Sequence, residues 1–298
     1  MKKKLILLYL FIFSLSLFAQ QEQVRRDITQ EKLDSIDVKK WKVIGKLGFI
    51  FNQYAFSNWL AGGENSVAGT ITLNYDFNYV LGLWKWDNKI IASYGSSYFS
   101  DNGYRKTDDR FGYNSTLARK SIGKWYLSYY TNLTTQFSNG YDYSKDPKEL
   151  VSGAFAPTYF STGPGFLWRK SDNLRFNLAP ATSKITFVGS KFSGEFGVPE
   201  GRKTLYGLGF NFIGYLKFNV LENISMENII NIYMDYLNEP ENLYLNYQIN
   251  FQASINKNLM TNLTIHIISD DNASSTLQFR EVFGLGINYI FHNKELIL

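Results

Sequence analysis

The residues that could do chemistry in this chain are few and widely spaced. It has two histidines, His266 and His292. His266 alternates with Leu263, Ile265 and Ile267, so it falls on the polar side of an extended segment. There it could act as a general base for a serine on the same side, such as Ser254. No serine stands in a strained Gly-x-Ser-x-Gly turn, so the structural alternative, a polar interior histidine, is preferred. Three acidic clusters, Asp108 with Asp109, Asp142 with Asp146, and Asp270 with Asp271, are candidates for a hard cation. Such a cation needs six or more fixed oxygen ligands, and these short clusters read instead as solvated charge. Gly62, Gly63, Gly284 and Gly286 form no phosphate-cradling pattern. The remaining candidates are single charges set among Asn, Gln, Ser, Thr and Tyr, namely Lys46, Asp76, Lys89, Lys217, Glu227 and Asp235. On a common inner wall they would either set the field of a narrow aqueous path or knit a plug that closes it. No catalytic residue, metal site or cofactor is expected.

Such a wall requires long extended segments, and the chain supplies them. Leu243, Leu245, Tyr247, Ile249, Phe251, Ala253 and Ile255 alternate with Tyr244, Asn246, Gln248, Asn250, Gln252, Ser254 and Asn256. Ile71, Leu73, Tyr75, Phe77 and Tyr79 alternate in the same way with Thr70, Thr72, Asn74, Asp76 and Asn78. On the segment at 204–219, Tyr206, Leu208, Phe210, Phe212, Leu216 and Phe218 share one face, which puts Lys217 on the other with Asn211, Tyr215 and Asn219. Soluble sandwich strands hold this pattern for about five or six residues, whereas membrane-spanning strands need about nine to eleven. The pattern predicts strands at 42–56, 66–80, 86–99, 110–121, 124–138, 151–170, 174–188, 204–219, 223–237, 243–256, 260–269 and 276–291. Short turns alternate with longer connections at 57–66, 100–109, 138–150, 189–203, 238–242 and 270–275. The expected fold is all-β: a transmembrane antiparallel β-barrel of about twelve strands with both termini periplasmic. The prolines at 157, 164 and 180 make 151–188 the stretch where strands are hardest to place.

The first residues fit that destination. Lys2, Lys3 and Lys4 precede an uncharged apolar run from Leu5 to Phe18 that ends at Ala19 before Gln20 and Gln21, the layout of a secretory signal peptide. Residues 1–19 are read as the signal, 20–40 as a charged periplasmic lead-in and 41–298 as the barrel. There is no cysteine, so neither a disulfide framework nor a lipidated N-terminal cysteine is expected. The three signal lysines account for more than half of the formal charge of +5, so charge implies no nucleic-acid partner. Aromatics reach 17% while mean hydropathy is only -0.22. A barrel explains both, with aromatic girdles outside and a polar lumen within.

Five islands stand out along the chain: SNWLAGGENS at 57–66, YRKTDD at 104–109, TQFSNGYDY at 135–143, YLNEPENLYLNY at 236–247 and GLGINYIF at 284–291. In their order and spacing they resemble an outer-membrane barrel family of the Bacteroidota known as a domain of unknown function. The resemblance implies a bacterial outer-membrane location and brings no catalytic residues with it. The last strand, with Phe283, Leu285, Ile287, Tyr289 and Phe291 on one face, also resembles the signal read by barrel-assembly machinery. Seven further residues, His292 to Leu298, follow it. Outer-membrane lipid and the assembly machinery are therefore the expected partners. The leading functional expectation is a small-solute channel or transport barrel. The alternative is a non-conducting subunit or scaffold bound to an envelope protein, and the second alternative is an outer-membrane lipid hydrolase.

Overall fold

The structure is a computed structural model that describes residues 40–54, 65–101, 103–238, 240–241, 243–256, 259–270, 274–292 and 296–297. The residues read as a signal peptide, nearly all of those read as a lead-in and most of the 57–66 connection lie outside the described residues. The strands in chain order are β1 (Lys40–Tyr54), β2 (Ser66–Leu81), β3 (Trp84–Phe99), β4 (Gly103–Lys120), β5 (Trp125–Thr135), β6 (Gly140–Asp142), β7 (Glu149–Ser152) and β8 (Thr158–Ser171). They continue with β9 (Leu174–Phe187), β10 (Thr204–Leu221), β11 (Ile224–Asp235), β12 (Leu243–Ser254), β13 (Leu259–Asp270), β14 (Ser274–His292) and β15 (Leu296–Ile297).

Twelve of these pair antiparallel with their neighbours, skipping β6 and β7, and β14 pairs with β1 from Ile44↔His292 to Phe51↔Leu285. The ring is therefore a closed barrel with no free edge, which leaves no unsatisfied row of backbone groups to face lipid. Large apolar side chains stand on its outside. Ile71 is 56% exposed, and Leu127, Phe166, Phe283 and Ile287 are exposed to a similar or greater degree. Left in water, a continuous belt of this kind would be a severe aggregation liability; against hydrocarbon it is the stable arrangement. Aromatic rings gather near the short-turn end, where Trp41 packs on Tyr79 and Trp86, and Trp125 and Trp168 pack on Phe176. This closed, even-stranded antiparallel ring with an apolar exterior is a barrel of the bacterial outer-membrane type.

The strand count matches the expectation, and three boundaries depart from it. The connection expected at 100–109 shrinks to 100–102, because β4 begins at Gly103 and its charged run pairs with β3. Arg105 lies over the Phe99 ring and Tyr104 packs on Tyr98, so these contacts carry the hairpin past the point where alternation fades. A register shift between Gly95 and Ser96 is what breaks the period there. The strand expected at 151–170 begins only at Thr158, since Glu149–Ser152 turns back to pair with Gly140–Asp142 in a small hairpin of its own. A Gly153↔Ala156 bridge and Pro157 separate the two pieces. The tail after the last aromatic adds a short strand, pairing Leu296 with Trp41 and Ile297 with Lys40.

The connections at 136–157 and 188–203 share a small apolar core outside the barrel. Ala156, Val188, Phe192 and Val198 are buried together, with Leu150, Phe196 and Leu205 packed against them. Phe192 closes the 3-10 turn Ser190–Phe192.

Candidate functional site

One contact identifies the inner face. Arg110 Nη1 on β4 donates to Gln248 Oε1 on β12 at 2.9 Å. Around the ring β5, β8, β9, β10 and β11 separate these strands on one side, and β13, β14, β1, β2 and β3 on the other. The contact therefore joins opposite walls, and both side chains point inward. Cross-strand pairing carries that face around the barrel. Gln248 pairs with His266, and His266 pairs with Arg280. Asn250 pairs with Glu227, and Glu227 with Lys217. Lys46 pairs with Asn74, and Asp76, two residues on, pairs with Lys89.

The register thus puts Lys46, Asp76, Lys89, Lys217, Glu227, Asp235 and His266 on the same side as Gln248, but it does not bring them together. Five meet in the half of the barrel nearer the short turns. Lys89 Nζ lies 3.5 Å from Asp76 Oδ2. Glu227 accepts from Tyr215 and from Asn250, each at 2.9 Å, and both Lys89 and Lys217 act on its charge. Lys46 Nζ donates to Gln252 Oε1 at 2.5 Å, and Lys217, Glu227 and Lys89 all contribute to its field. Arg175 stacks on Tyr215, its guanidinium carbon 3.9 Å from the ring centre.

The other two stand apart. Asp235 is buried at the end of β11, where Oδ1 accepts from the amides of Leu237 at 2.9 Å and Asn238 at 3.3 Å. It clasps the turn that follows the strand. His266 shares a 2.8 Å hydrogen bond with Asn246 Oδ1. The structure does not bring His266 and Ser254 together. Ser254 pairs with Met260 at the turn end of β12, and Gln252 and Asn250 lie between it and the Gln248 level at which His266 sits.

Of the acidic clusters, Asp108 and Asp109 come apart, and Asp271, the second member of another, lies outside the described residues. Asp108 points inward to Arg280, 2.7 Å away. Asp109, next to it, takes the opposite face, where it meets Lys106 and the backbone amides of Phe137 and Ser138. Asp142, at the end of β6 in the β6–β7 hairpin, accepts from the Ser144 hydroxyl and amide, and these bonds hold its carboxyl below the ordinary range. Among the described residues no three histidines or carboxylates converge as a metal site would require.

Arg280 and four further inward groups are not singled out by the sequence. Arg110 alternates with Gly112 and Asn114, and Arg175 with Asn177, so polar alternation was the available signal. Asp87 and Arg169 form an ion pair between β3 and β8, joining strands that have β4 and β5 between them. That partnership has no sequence signature. A further polar knot covers the wall from β5 to β10. Tyr130 donates to Thr182 at 3.0 Å and accepts from Asn211 at 2.6 Å, while Ser128 donates to Asn177 at 2.7 Å.

No curated protein matches the chain. Among solved structures it is similar to an outer membrane channel from Pseudomonas putida F1, at 8% identity and a TM-score of 0.38, covering 87% of this chain and 97% of that one. It is also similar to the translocator domain of the autotransporter NalP from Neisseria meningitidis, at 10% identity and a TM-score of 0.31, covering 93% and 97%. A third is the outer membrane channel DcaP of Acinetobacter baumannii, at 9% identity and a TM-score of 0.32, covering 85% and 96%. The family model described as "Protein of unknown function (DUF3078)" matches residues 51–141 of the chain.

Proposed function

We propose that the barrel passes small anionic solutes across the outer membrane. The observation that carries this reading is an imbalance among the inward charges. Asp76, Asp87 and Asp108 are each neutralised by a basic partner, Lys89, Arg169 and Arg280. Four inward cations, Lys46, Arg110, Arg175 and Lys217, form no ion pair among the described residues, and the first two donate to neutral amides instead; only two inward carboxylates, Glu227 and Asp235, are likewise without a basic partner there. A low-dielectric wall focuses the field of such residues along the axis, favouring anions and repelling cations. Reversal potentials of the purified barrel in a planar bilayer under a potassium chloride gradient should show anion preference. Lys217→Glu should move it toward cations. Cation preference in the unaltered barrel would sink the reading.

The Arg110–Gln248 contact favours a second reading, a closed barrel that serves as a subunit or scaffold of an envelope assembly. Bilayers that take up the protein yet stay electrically silent would select it.

Both readings share one orientation, with the termini and short turns in the periplasm. The chain has no cysteine of its own, so single cysteines report cleanly. Lys148→Cys, in the exposed 143–148 connection, should react with an impermeant thiol reagent on whole cells. Glu222→Cys, in the turn between β10 and β11, should not. The reverse pattern would invert the topology.

A further inference from the structure

We infer that the turn-side half of the lumen holds a binding site for a small phosphate-type dianion, built by Lys46, Lys89, Lys217 and Arg175 around the fixed carboxylate of Glu227. These residues come from β1, β3, β10, β9 and β11, so the site exists only in the closed barrel.

Glu227 offsets one of the four positive charges without capping any of them, because its oxygens are held by neutral donors. Tyr215 and Asn250 occupy its two oxygens at 2.9 Å each, and no ammonium comes within ion-pair distance of it among the described residues. Arg175 is oriented by stacking on Tyr215 and by donating to the Asp172 carbonyl, so the same tyrosine touches one anion and one cation. Lys46 is tethered to Gln252, two residues along the same face of β12 from Asn250, which puts its ammonium beside the group that holds Glu227. The Lys217 ammonium makes no hydrogen bond or ion pair among the described residues, although Lys217 pairs with Glu227 across the strands. Counted as a unit with Asp76, four cations face two carboxylates. Two positive charges remain for a ligand, which matches a phosphate-type dianion better than chloride. Ammonium donors from several walls suit a compact tetrahedral oxyanion, while a flat carboxylate would engage fewer of them. Glu227 then keeps the site from holding its occupant too tightly, as a site on a transport path requires.

The role of this site in passage rests on the anion-transport reading, but its existence does not, and the test keeps them apart. The purified, folded barrel would be melted in detergent by circular dichroism in chloride and in inorganic phosphate at matched ionic strength. Its chloride current would be recorded in parallel with and without phosphate. Phosphate should raise the melting temperature by several degrees and reduce the current. A hexose phosphate that gives an equal shift would also support the site and place the recognised group on a carried solute. The double variant Lys46→Gln/Lys217→Gln should lose both effects, whereas Arg280→Gln, at the opposite end of the lumen, should keep the thermal shift. Equal melting temperatures in phosphate and chloride for the unaltered barrel would overturn the site, and that arm needs no variant to fold. A shift in a silent barrel would retain the site and end the transport reading. A conducting barrel indifferent to phosphate would retain transport and end the site.

Discussion

Arg110→Ala should raise the single-channel conductance about twofold or more, and should weaken anion preference at the same time. The guanidinium of Arg110 and the amide of Gln248 meet at 2.9 Å from strands half a turn of the barrel apart, so together they divide the lumen at that level. Truncating either side chain removes the bridge, but only the arginine carries charge. Gln248→Ala should therefore raise conductance while leaving selectivity in place. Arg110→Lys retains the charge on a side chain without the planar fork, so its selectivity should stay close to that of the unaltered barrel. Asp108 remains paired with Arg280 in every variant, which limits the disturbance to the bridge itself. Identical conductance in the unaltered barrel and in both alanine variants would show that the narrowest point lies elsewhere. A barrel that is silent until Arg110 or Gln248 is removed would identify the bridge as a closed gate, reconciling the two functional readings.

The strands were legible where each face stays unbroken. Along β12 the polar and apolar residues keep one parity from end to end, and along β2 they keep it from Thr70 to Tyr79; the pairings of Asp76 and of Gln248 follow it. Parity fails in β9. Arg175, Asn177 and Ala179 pair with Tyr215, Ile213 and Asn211, but beyond a register shift Thr182 pairs with Gly209 and Lys184 with Gly207. The inward positions change from odd to even across Pro180, so no single alternation describes the strand. The same physics hides the site. Alternation tells which residues face inward but not how far along the axis each one sits, because strand stagger sets that height. Lys46 and Lys217 are far apart in sequence and adjacent in effect, while Asp108 and Asp109 are neighbours in sequence and face opposite ways. Arg110 and Gln248 could each be read as inward, but their meeting depends on the shape of the closed ring.

The glycines of β10 show how closely that shape is fitted, and Gly209→Val should impair assembly severely. Gly209 pairs with Asp235, and the strand shifts register immediately after it. A Cβ at this position would run into the Met234 carbonyl and come within 2.9 Å of the Tyr233 ring. Two residues earlier, a Cβ at Gly207 would strike the Asp235 carboxylate and approach the Tyr233 hydroxyl at 2.8 Å. The bare backbone of β10 is thus the surface on which Tyr233 and Asp235 lie, and both are buried there. A side-chain clash can be relieved by changing rotamer, whereas a clash with a carbonyl requires the strand itself to move. Overpacking in fitted interiors costs about 1–3 kcal/mol, occasionally more, and here the displaced strand would also disturb the turn held by Asp235. Valine is otherwise favoured in strands, so a loss of stability would report the contact and not a local preference. The measurement is the fraction of heat-modifiable, folded barrel recovered from membranes, with the melting temperature of whatever folds. Gly112→Ala provides the control, since a Cβ there would meet only the Ile91 and Leu133 carbonyls, at 3.8 and 3.9 Å, which is ordinary contact. That variant should assemble normally. If Gly209→Val assembles and melts as Gly112→Ala does, then Tyr233 and Asp235 do not rest on this stretch of backbone, and the wall they form must be arranged differently.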